Sequence, residues 1–145
     1  MPKKLRGFTL IEIVIAMAIL IGIAGLGLFI TMDTYRHTSL REERDVLVSM
    51  LTRARTLSMT NTGGLPHGVC YETENNLYRV FKGDGQVEIE ISKGNSITIS
   101  GMPTCESGGI VFSQLSGTTT ETTIVLSENT NSLVVEVSGE GTILY

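Results

Sequence analysis

The chain has 145 residues, 41% of them hydrophobic and 18% charged, with a formal net charge of −4. That length holds one modest domain once any membrane segment is set aside. The acidic balance, with a sequence pI near 5.1, argues against a protein built to grip phosphate backbones.

The mean hydropathy of +0.20 comes largely from the N-terminal third. Residues 1–7 form a short basic leader carrying Lys3, Lys4 and Arg6 and ending in Gly7. From Phe8 the chain is apolar to about Met32, interrupted early by one carboxylate, Glu12. As a helix, residues 8–30 extend roughly 34 Å, enough for a hydrocarbon core of about 30 Å. An ionised carboxylate at the centre of such a span costs on the order of 2.5–3.5 kcal/mol, so Glu12 calls for a partner. A secretory signal fits poorly, because its apolar core runs to about 7–15 residues and this one continues well past Ala16-Met17-Ala18. The basic leader favours a cytoplasmic N-terminus, although Arg36, Arg41 and Arg44 beyond the span weaken the asymmetry. Ala18, Gly22 and Gly25 share one helical face of small residues, where another helix can approach closely.

Residues 33–61 continue as an amphipathic helix. Leu40, Leu47, Leu51, Ala54 and Leu57–Ser58 recur at helical spacing with Val46 and Met50 beside them, while Arg41 to Asp45 fill the expected solvated side. The stop is Asn61-Thr62-Gly63-Gly64, and residues 62–67 make a linker containing Pro66. After Gly68 the period falls to two, with β-branched residues dominant. Strands are expected at 68–72, 77–81, 87–92, 96–100, 109–113, 121–127, 132–138 and 142–145, separated by Gly, Asn and Pro turns. The expected fold is α+β: a long helix packed on an antiparallel sheet or sandwich domain, residues 68–145.

Cys70 and Cys105 both follow the apolar run. If that run exports the rest of the chain, they reach an oxidising space and can pair; two free thiols are the alternative. From Thr60 onward the only cations are Arg79, Lys82 and Lys93, against ten carboxylates. No catalytic constellation is legible. His37 and His67 lack metal-ligand spacing, no phosphate-binding glycine loop occurs, and the acidic turns lack the ligand density of a calcium loop. No enzyme activity, cofactor or metal is expected.

Gly7-Phe8-Thr9-Leu10-Ile11-Glu12, after a basic leader and before an apolar helix, resembles the prepilin signature of type IV pilins and type II secretion pseudopilins. The remainder is similar to H-type minor pseudopilins and FimT-like minor pilins. The residues carrying that likeness are Ala54-Arg55 near the helix end, Gly109-Ile110-Val111-Phe112, and the last strand after Gly139. The resemblance implies cleavage between Gly7 and Phe8 by a prepilin peptidase that also methylates the new Phe8 amine. It implies that Glu12 neutralises the terminal amine of a neighbouring subunit. It also implies partners: other pilins or pseudopilins and, indirectly, an inner-membrane assembly platform with its ATPase. The protein would be a single-pass inner-membrane subunit with its C-terminal domain outside the cytoplasm, joining a secretion pseudopilus or, alternatively, a type IV pilus. Two departures stand out. Phe29 occupies the place where many pilins carry a helix-kinking proline, and the basic distal end of DNA-binding members is missing, so DNA binding is not expected.

Overall fold

The computed structural model describes residues 9–145, with side chains at 9–25 and 39–145. Gly7 and Phe8 therefore lie outside the described residues. One helix, α1, runs from Leu10 to Met59. The chain divides into two compact units, the second being Thr38–Tyr145.

Within the second unit, the helix buries Leu40, Leu47, Met50, Leu51 and Ala54, each at most 3% exposed. These positions recur every three or four residues, so they line one face, and each fully buried leucine contributes about 1.5–3 kcal/mol. Glu43 departs from expectation. The sequence places it among the solvated charges, yet it is 8% exposed. Its position, three after Leu40 and four before Leu47, puts it on the buried stripe, and its Oε2 accepts the Gly94 N–H at 3.1 Å.

The helix ends where expected. Asn61 turns left-handed at φ 53°, and a short 3-10 turn, Thr62–Gly64, leads into the strands. All eight expected strands form: β1 (His67–Glu72), β2 (Leu77–Lys82), β3 (Val87–Ser92), β4 (Thr98–Ser100), β5 (Ile110–Phe112), β6 (Thr122–Glu128), β7 (Asn131–Val137) and β8 (Ile143–Leu144). They make two antiparallel four-stranded sheets, ordered β3-β2-β1-β5 and β4-β6-β7-β8. The strands are not a simple meander. β4 leaves the first three to pair with β6, and β5 returns to β1, with Val69 opposite Ile110.

Alternation along the strands sets the two faces of the first sheet. Val69, Val80 and Ile110 point into the core, joining the helix residues and Ile124, Leu126, Val135 and Val137 of the second sheet in one apolar cluster. Gly68, Cys70, Arg79 and Phe81 occupy the opposite face. The Phe81 ring lies over Gly68 so closely that a Cβ there would come within 2.7 Å of it, so only glycine fits.

Candidate assembly segment at the N-terminal helix

The first turn of α1 is closed by two of its own residues. The Thr9 hydroxyl accepts the Glu12 N–H at 3.4 Å, and the Glu12 carboxylate accepts the Thr9 N–H at 3.5 Å. This is the reciprocal pattern of a capping box, with long contacts; it satisfies the Thr9 N–H, while the Glu12 N–H also donates to the Thr9 carbonyl at 3.1 Å. A carboxylate there also complements the positive end of the helix dipole. The Thr-x-x-Glu spacing is the contiguous sequence signal for this cap. Glu12 thus has a structural role before it meets any partner, and its remaining lone pairs stay open to a cation.

Behind this cap the helix is apolar all round. Ten large aliphatic or methionine side chains from Leu10 to Ile23 are 49–81% exposed. An amphipathic surface helix would show a polar face, and a helix apolar on every side belongs in lipid or among other helices. Among the described residues no helix is long and apolar enough to cross a membrane. The expected span, 8–32, continues into positions 26–38, whose side chains are outside the described set. Ala18, Gly22 and Gly25 are exposed, and a Cβ added at either glycine would meet nothing within 4 Å. The small-residue face is therefore open for an approaching helix.

In the second unit the structure joins Cys70 to Cys105, with Cα atoms 4.8 Å apart. The bond pins the segment after Pro103 onto the outward face of β1. Around it, Tyr71 N–H donates to the Pro103 carbonyl at 3.2 Å and Cys105 N–H to the Tyr71 carbonyl at 3.1 Å. Cys70 is thus committed, and the adjacent His67 is fully buried on the opposite face of the strand. A Cys–His nucleophile pair is not assembled. His67 Nε2 stands 3.5 Å from a Glu88 carboxylate oxygen, which also lies 3.5 Å from Lys82 Nζ. The His67 backbone N–H donates to the Ser58 hydroxyl at 2.8 Å, tying β1 to the end of α1. Among the described residues, no group of three or more His, Cys, Asp or Glu side chains converges on a metal site. His37 lies outside the residues with described side chains.

Residues 2–29 match the family described as the prokaryotic N-terminal methylation motif. The match brackets Gly7-Phe8 and ends inside the apolar helix, so the cap, the carboxylate and the helix coincide with the processing signature. The N-terminal segment thus carries the signature that supports assignment to the type IV pilin and pseudopilin superfamily. Its pilin-like fold is similar to the solved minor pseudopilin EpsH from the type 2 secretion system of Vibrio cholerae, with 10% sequence identity and a TM-score of 0.55. That likeness covers 73% of this chain and 94% of that one. No curated protein matches the chain at a significant level.

Proposed function

We propose that this chain is a minor pseudopilin, a structural subunit of a type II secretion pseudopilus-like fibre. A prepilin peptidase removes residues 1–7 and methylates Phe8, and the processed subunit waits in the inner membrane through residues 8–32 with its β domain outside. It then enters the fibre by exchanging lipid for neighbouring helices along the Ala18, Gly22 and Gly25 face. Glu12 pairs with the terminal amine of a neighbour, which removes two charges that are each costly alone in low dielectric. The role is mechanical and no catalytic step is assigned. The platform ATPase acts on the subunit only indirectly.

The observation that carries this reading is the methylation motif in register with Glu12 at the first turn of a helix apolar on every side. The test has two arms. Intact mass of the membrane form, with an active prepilin peptidase present, is expected to begin at methylated Phe8; retention of Met1 overturns the reading. Glu12→Ala is expected to leave the domain exported but poorly incorporated into fibres, and normal incorporation refutes the pairing. A type IV pilus subunit is the second reading, favoured only by the shared motif. A deletion strain that loses motility or DNA uptake while secreting normally selects it.

A further inference from the structure

The disulfide separates two recesses on the outward face of the first sheet. On one side is a cavity of about 230 Å³ lined by the Cys70–Cys105 bond, Phe81, Val87, Gly85 and Gly108, together with Arg79, whose charge is met by Glu72 and Glu90. On the other is a smaller recess of about 130 Å³ holding three carboxylates, Glu72, Glu74 and Glu106. Cys105 lines both. The first cavity falls below the roughly 300–1,000 Å³ of ordinary small-molecule sites, so it is sized for a single apolar side chain. Val87, 45% exposed, leaves it open to solvent.

Electrostatics decides what lies beside that side chain. The distal domain's cations are already engaged. Arg79 is held by Glu72 and Glu90, both at 2.7 Å, and Lys82 faces Glu88. The Lys93 ammonium donates to the carbonyls of Gly94 and Ile97. Among the described residues no cation answers Glu74 or Glu106, so two of the three carboxylates of the second recess are uncompensated and attract a positive charge.

We propose that this face is a docking surface for a segment of a partner protein that presents one apolar side chain with a Lys or Arg close behind it. The apolar group fills the cavity beside the disulfide, and the cation lies between Glu74 and Glu106. A second copy of this chain offers no such segment among the described residues, because exposed Arg41 and Arg53 are flanked by buried Leu40, Leu51 and Ala54. The surface stands on its own geometry and goes beyond the fibre-subunit reading, so either can fail without the other.

The test uses the full chain in detergent micelles, followed by backbone amide resonances during titration with a capped Ser-Phe-Gly-Lys-Ser peptide. Saturable shifts are expected at Val87, Gly108 and Glu106. Replacing the peptide's Lys by Glu, or the double substitution Glu74→Gln with Glu106→Gln, is expected to weaken binding about three- to tenfold, the scale of exposed charge pairs. Unchanged amide positions for Val69 and Val80 establish that the variant is folded. The proposal is overturned if nothing saturates at millimolar peptide or if the Glu peptide binds as well. It is equally overturned if the shifts fall on α1, or if raising protein concentration alone moves the same resonances, which would make a second copy the occupant.

Discussion

Arg55 Nη2 donates to the backbone carbonyl of Glu140 at 3.1 Å, joining the end of α1 to the last hairpin across 85 residues of sequence. The same guanidinium fills the space beside Gly141, where a Cβ would come within 2.9 Å of Nε. The Ala-Arg pair near the helix end therefore has a physical purpose. Ala54 is small enough to vanish into the core, and Arg55 holds the C-terminal strands.

Arg55→Ala is expected to cost about 1.5–3 kcal/mol, the range for a hydrogen bond from a charged group, to which lost packing of its stem contributes. Urea unfolding of the wild type and variant measures it. Arg55→Lys should recover only part, because a single ammonium does not reproduce the planar fork.

Breaking the disulfide releases a loop whose ends are 35 positions apart in the sequence. Chain-entropy reasoning places the loss at roughly 3–4 kcal/mol for Cys70→Ala with Cys105→Ala. Thermal unfolding with and without reductant is the check. The wild type should drop toward the variant on reduction, and the variant should not respond.

Gly109 adopts φ +66°, and an added Cβ would lie 2.7 Å from the Val69 carbonyl and 2.9 Å from Cys70 Cβ. Gly109→Ala should therefore destabilise by about 2–4 kcal/mol, combining the left-handed penalty with overpacking. The midpoint of denaturant unfolding reports it, with unchanged m-value if the fold is retained.

Tyr78 is fully buried, with its phenol set against the Glu43 carboxylate. Burial first, and the hydrogen-bonding and charge influence of Glu43 second, push its ionisation far above the ordinary tyrosine range. Neither the Tyr78 hydroxyl nor Glu43 Oε1 makes a hydrogen bond of standard geometry, and burial is the leading cause of the shift. The unfolded chain gives up this proton near pH 10 while the folded chain keeps it. The contribution is thus complete below that pH and declines as pH rises beyond it. Tyr78→Phe should flatten the alkaline fall in stability, measured by urea unfolding between neutral pH and pH values above 10.

The methylation motif, the apolar run and all eight strands were legible because each is written in local chemistry. A cleavage signature is contiguous, helical and strand periods repeat within a few residues, and turns announce themselves by Gly, Asn and Pro. Glu43 was misread for the opposite reason. Its charge suggested solvent, and only the packed domain supplies the Gly94 N–H that holds it inside.

By itself, the sequence determined the superfamily signature, the order of elements and the presence of two cysteines able to pair. The tertiary structure decided the exchange of β4 and β5 between sheets, the bond between Cys70 and Cys105, and the hold of Arg55 on Glu140. It also brought the disulfide cavity beside uncompensated carboxylates. Those features depend on residues far apart in the chain, whose pairing is fixed only when burial of one shared core selects a single register.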